Sequence, residues 1–117
     1  MPTDLKDIFR VRNVIEKEEE LIAQIVMPED GYSWGLSLVQ LRTCPRHFHN
    51  KTTEIFVIVE GGVQMEIDGI WHSIKQGHQV TLTPGQVHKI HDAEKGTRMM
   101  VFSFPAFVEE DLIEIAE

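Results

Sequence analysis

Basic residues are scarce in this chain: eleven Lys and Arg stand against nineteen Asp and Glu, leaving a formal charge of −8. A surface of that sign repels phosphate backbones and anionic lipid, which argues against nucleic acid or membrane as a partner. Cysteine is almost absent too. The one thiol, Cys44, cannot form an internal disulfide, which fits a reducing compartment and predicts the cytoplasm. No apolar run approaches the ~20 residues of a membrane span. Met1 to Arg12 carries Asp4, Lys6, Asp7, Arg10 and Arg12 where a secretory leader has its apolar segment. A phosphate-cradling glycine loop, a CxxC pair and a serine-nucleophile motif are all missing.

What is present reads as one soluble domain. The 117 residues are 42% hydrophobic and 26% charged, and a chain of this size builds a core without disulfide or structural metal. Any metal site therefore serves function. The expected organisation is one domain over 1–117, with an N-terminal segment (1–20), a barrel (21–104) and a C-terminal tail or helix (105–117).

The pattern along the chain is that of short strands. Leu21–Met27, Gly35–Arg42, Glu54–Val59, Val63–Ile67, Ile70–Ile74, Gln79–Leu82 and Met99–Phe104 are rich in Val, Ile and Phe and are separated by Gly, Pro, Asp and Asn. Asp68-Gly69 predicts a two-residue hairpin, and Gly61-Gly62 joins two strands directly. Val63, Met65 and Ile67 alternate with Gln64, Glu66 and Asp68, as on a strand with one dry face. Glu16 to Glu20 reads as a solvated surface. Only the ends look helical, at Asp4 to Phe9 and at Glu109 to Ala116. These features predict an all-β fold, a sandwich or jelly-roll barrel with short terminal helical segments.

Six histidines are unevenly placed. On a strand, His47 and His49 project to one face, so both imidazoles can reach one point. Glu54 opens the next apolar run, and His88 follows the turn Thr83-Pro84-Gly85. Three imidazoles and one carboxylate suit a divalent transition metal.

These residues carry a family resemblance. His47-x-His49, four residues, Glu54, six residues and Gly61 resemble the first cupin motif. Gly77, five residues, Thr83-Pro84-Gly85, two residues and His88 resemble the second. The resemblance spans Leu41 to Asp92. It departs from the family at Leu41, Thr83 and Asp92, none of which is a ligand position. It implies a single jelly-roll barrel in which His47, His49, Glu54 and His88 bind one Mn, Fe, Zn or Ni ion. Metal affinity should then fall below about pH 6.5, where a free imidazole takes up its proton.

His91 and Tyr32 are the candidate acid–base groups, His91 from a turn-like segment (91–96) at the barrel mouth. Trp34 and Arg46 are further candidates for a pocket wall. His72 and His78 read as surface residues and Cys44 as a buried, inert thiol. The resemblance, to small cupins grouped with mannose-6-phosphate isomerase-like domains, implies a metal-dependent enzyme. Its substrate would be a sugar-like or other small polyoxygenated molecule, altered by Lewis-acid isomerase or epimerase chemistry. An Fe(II)-dependent dioxygenase and a non-catalytic small-molecule sensor are the alternatives. A homodimer is expected, with Ile8–Val14 and Leu21–Met27 as candidate exchange elements.

Overall fold

The computed structural model describes residues 12–18, 20–106 and 108–116. Among them are eleven strands: β1 (Asn13–Lys17), β2 (Glu20–Val26), β3 (Gly35–Leu41), β4 (Cys44–His49), β5 (Thr53–Glu60), β6 (Gly62–Ile67), β7 (Ile70–Lys75), β8 (Gln79–Leu82), β9 (His88–Ala93), β10 (Arg98–Phe104) and β11 (Leu112–Glu114). They form two facing antiparallel sheets, ordered β1-β2-β3-β10-β5-β8 and β11-β4-β9-β6-β7. This is the jelly-roll architecture, and both central strands of the larger sheet pair with partners remote in sequence. No helix among the described residues is long and apolar enough to cross a membrane.

The core follows the two-residue period of the strands. Phe56 and Ile58 on β5, Met99 and Val101 on β10, and Val39 and Leu41 on β3 bury one face against Val63, Met65, Ile74 and Ile90 of the other sheet. Apolar burial of this kind contributes roughly 1.5–3 kcal/mol per large side chain.

Several expectations need correction. The segment Glu109–Ala116 is not a helix: a 3-10 turn (Glu109–Asp111) leads into β11. Leu112, Ile113 and Glu114 pair with His49, Phe48 and His47, so the unsatisfied edge of β4 overrides the local helical spacing. The turn-like reading of 91–96 fails at its start, because β9 runs on to Ala93 and pairs with β6. Glu16, Lys17 and Glu18 are exposed, as expected of a solvated surface, whereas Glu20 is half-buried at the start of β2, and β1 pairs with β2 of its own chain. The strands of the two sheets thus reach beyond 21–104 on both sides. Asp4 to Phe9 lies outside the described residues, as does the first part of Ile8–Val14.

The β5–β6 corner rests on one glycine. Gly61 has φ +86, and a Cβ there would lie 2.3 Å from Thr97 Oγ1 and 2.9 Å from Thr97 Cα. Thr97 Oγ1 cannot move away freely, since it accepts from the Gly62 N–H at 3.2 Å and donates to the Glu94 carbonyl at 2.7 Å. Gly61→Ala should therefore cost more than the about 1–2 kcal/mol of a left-handed residue alone, lowering the urea midpoint at unchanged slope. An unchanged midpoint would mean that the corner relaxes without strain.

Candidate metal centre

Strand β4 carries His47 and His49 on its inner face, with Phe48 turned away. Its neighbour β9 begins at His88, directly opposite His47. Glu54 reaches the same point from the inner face of β5 in the other sheet. One ligand atom from each of the four residues lies within 4.8 Å of all the others, and all four residues are buried. Donors held about 2.1 Å from a single ion sit at most about 4.2 Å apart, so the set needs only a small contraction to close on one.

The hydrogen bonds leave the ligand atoms aimed inward. His47 Nδ1 donates to the Pro45 carbonyl at 2.7 Å and His88 Nδ1 to the Gln86 carbonyl at 3.1 Å, which leaves Nε2 of each ring as a lone-pair donor. Glu54 Oε1 lies 3.0 Å from His49 Nε2 and 3.6 Å from His88 Nε2. Even so, Glu54 Oε1 and His88 Nε2 are buried without a hydrogen bond of proper geometry. Buried polar atoms left in this way are costly, and a cation held among them would satisfy them. The residues present fit a divalent metal.

Burial also favours the neutral form of two of the imidazoles, His47 and His88. It pushes His88 down to about 4, helped by neighbouring His47, and it lowers His47 against the opposing pull of the Pro45 carbonyl. The ligating form of these rings therefore survives below the pH of about 6.5 expected for a free imidazole. Cys44 lies beside them, its Sγ 3.6 Å from His47 Nδ1, and burial pushes its thiol up to about 12. It is a packed thiol, not a ligand.

A brace from the C-terminal turn holds this arrangement. Asp111 is buried and accepts N–H bonds from Lys51 (3.0 and 3.1 Å) and Thr52 (3.0 Å), in the loop that joins His49 to Glu54. Burial raises its carboxyl, but those N–H donors outweigh it and hold it below the ordinary aspartate value. Nothing in the run Glu109-Glu110-Asp111 distinguishes this residue in the sequence. Lys17 and Glu20 are the other residues that sequence reasoning missed. Both line the cavity of about 120 Å³ between the sheets, together with His47, His49 and Glu54. Burial raises the Glu20 carboxyl above its ordinary value, against the pull of Lys17 and with Glu54 and Glu109 adding to the rise. The alternation of Glu20, Ile22 and Gln24 against Leu21, Ala23 and Ile25 was the available signal.

The remaining candidates lie elsewhere. His91 sits on the outer face of the smaller sheet, where its Nε2 is 3.1 Å from Glu66 Oε1 and its ring stacks on Trp71 at 3.9 Å. Arg46 binds both oxygens of Glu66 at 3.1 Å on that same face. Tyr32 is exposed and packs against Trp34 at 5.9 Å, and neither lines the cavity. His72 is exposed, and His78 accepts the Lys75 N–H in a turn.

The cupin domain model matches residues 39–105, more than half of the chain. The chain belongs to the cupin family. Solved structures share its fold: a variant of Streptomyces PAC13 with uridine is 17% identical, with a TM-score of 0.74, over 92% of this chain and 88% of that one. Ectoine synthase from P. lautus is 17% identical, with a TM-score of 0.75, over 99% and 90% of the two chains. KdgF from Halomonas is 12% identical, with a TM-score of 0.73, over 85% and 91%. No curated protein matches.

Two measurements test the site. Asp111→Ala should weaken Zn(II) binding 10–100-fold in a chelator competition, the usual loss when a residue behind the ligands is removed. Thr97→Ala, a buried change remote from the ligands, should leave that affinity unchanged, and equal losses in both would make Asp111 an ordinary structural residue. In the metal-free protein, the unfolded state binds more protons than the folded state between about pH 6.5 and about 4, because the His88 value is depressed. Stability should fall as pH drops through that window, and His88→Gln should flatten the fall; an unchanged slope would contradict the buried neutral ring.

Proposed function

We infer that the chain is a metal-dependent enzyme that acts on a small, sugar-like or otherwise polyoxygenated molecule by isomerase or epimerase chemistry. One observation carries this reading: four buried donors converge, three of them (His47, His49 and Glu54) on the wall of a cavity that also holds a half-buried carboxyl, Glu20. His47, His49, Glu54 and His88 would hold one Mn, Fe, Zn or Ni ion. Such an ion supplies a Lewis acid that polarises a carbonyl or hydroxyl oxygen.

The chain's own residues provide the rest. The Pro45 and Gln86 carbonyls fix the tautomers of His47 and His88. Glu20, with its carboxyl raised by burial, is suited to accept and return a proton at a carbon or hydroxyl of the bound molecule. Lys17 beside it favours the charged form after the proton leaves. A cytoplasmic location and association as a homodimer complete the reading.

An Fe(II)-dependent dioxygenase is the second reading, favoured by the apolar part of the wall at Ile22, Val39, Phe56 and Val101. Relatives that are enzymes, such as the nucleoside dehydratase Pac13 and ectoine synthase, support catalysis in a barrel of this kind without selecting the reaction.

The test begins with metal analysis of the purified chain, where one divalent ion per chain is expected and none in His49→Ala. Anaerobic incubation of the Mn(II) or Zn(II) protein with a panel of hydroxy-aldehydes and hydroxy-ketones should then give isomerised product, read by NMR. Product that forms only with Fe(II) and oxygen would move the assignment to the dioxygenase. Binding without any product would make the chain a sensor and overturn the enzymatic reading.

A further inference from the structure

His88 is the first residue of β9, so the turn that precedes it, 83–87, sets where its ring begins. The backbone of that turn meets two of the four donor residues. The Gly85 N–H donates to the His49 carbonyl at 2.8 Å, and the Gln86 carbonyl accepts from His88 Nδ1 at 3.1 Å. A neutral imidazole can carry its proton on either nitrogen, and only the form protonated at Nδ1 leaves Nε2 a lone pair for an ion. The placement of the Gln86 carbonyl therefore decides whether His88 is ready to bind.

The side chain of the same residue holds that carbonyl in place. Gln86 Oε1 accepts the Thr83 N–H at 2.8 Å and the Thr83 hydroxyl at 3.0 Å, and Gln86 Nε2 donates to Asp68 Oδ2 at 3.4 Å. Two donors on one side and a carboxylate on the other admit a single orientation of the amide. Asp68 belongs to the β6–β7 hairpin, and it closes the link again at Val87. Its Oδ1 accepts the Val87 N–H at 3.0 Å, and its own N–H donates to the Val87 carbonyl at 2.8 Å. Gln86 and Val87, the two residues before His88, are thus tied to a different hairpin.

Two of these residues do more than their turns require. Asp68 is the only non-glycine residue with positive φ, +49, among the described residues. Glycine would serve that left-handed position in the turn but carries no acceptor for Val87 or Gln86. Thr83 stands where the chain departs from the cupin motif, and a proline in its place would offer Gln86 neither an N–H nor a hydroxyl. We propose that Thr83, Gln86 and Asp68 form a polar clamp between the β8–β9 turn and the β6–β7 hairpin that positions His88 for the metal. They are positioning residues, acting through the Gln86 carbonyl. The proposal rests on the donor set binding a divalent ion and is independent of the reaction that follows.

The test has a metal-free and a metal-bound readout, both on the full chain. Nitrogen NMR of the imidazole rings in the metal-free wild type should show His88 protonated at Nδ1 alone. Gln86→Met keeps the length of the side chain and loses its three hydrogen bonds. It should show the two tautomers in exchange and bind Zn(II) about tenfold more weakly in a chelator competition, the low end of the loss when the support behind a ligand is removed. Asp68→Gly suits the turn and should do the same, and the double variant should be no weaker than either single one, since both break one chain of contacts. Asp68 is exposed and Gln86 half-buried, so neither change opens the core. Asp68→Asn keeps an acceptor for the Val87 N–H and tolerates positive φ, and it should retain the wild-type tautomer and affinity. Gln64→Met breaks a comparable bond, to Ser73 at 3.1 Å on the outer face of the sheet, and should change neither readout. A single Nδ1–H tautomer with unchanged affinity in Gln86→Met and Asp68→Gly would overturn the clamp, as would equal losses in Gln64→Met. A wild type that binds no zinc, yet whose His88 keeps one tautomer and loses it in Gln86→Met, would uphold the clamp on the ring and count against the metal centre instead.

Discussion

The Glu54 carboxylate, buried against three imidazoles, is the constraint on which the rest of the structure depends. A buried acceptor without hydrogen-bond partners costs several kcal/mol unless a positive charge meets it. Here Glu54 comes from one sheet and His47, His49 and His88 from the other, so the cost is concentrated where the two halves of the sandwich meet. Two supports hold the arrangement in place. The pairing of His47 with His88 sets one side, and the Asp111 brace on the Lys51-Thr52 loop sets the other. Both supports come from elements distant in sequence.

The same strands divide their labour by face. On β5, Glu54 enters the donor cluster and Phe56 and Ile58 build the core, while Ile55 and Val57 point outward. On β4, His47 and His49 face in and Arg46 reaches Glu66 outside. The two-residue period thus keeps a costly polar cluster, a dry core and an outer surface on single strands without mixing them.

Much of this was legible in the sequence. The alternation of Val63, Met65 and Ile67, the Asp68-Gly69 turn and the spacing of His47, His49, Glu54 and His88 depend on local periods and motif intervals, and they led to the sheets and the donor set. What could not be read depends on pairing between remote segments. Leu112 and Ile113 have helical spacing, yet the free edge of β4 takes them as a strand. His91 lies three residues after His88, and three steps along a strand reverse the face; the irregular pairing near Gln64 and Met65 leaves His91 outside against Trp71. Glu20 looked solvated because a run of acidic residues carries no sign of the hairpin that turns one of them into the cavity. Asp111 was invisible because its partners are backbone amides sixty and fifty-nine residues away.

The account is tested most directly by an anomalous difference map from crystals grown with Zn(II) and measured across the zinc edge. It predicts one peak per chain, with His47, His49, Glu54 and His88 each placing a donor about 2.0–2.2 Å from it. Crystals that show no peak there, or a peak held by other residues while these four stay apart, would contradict it.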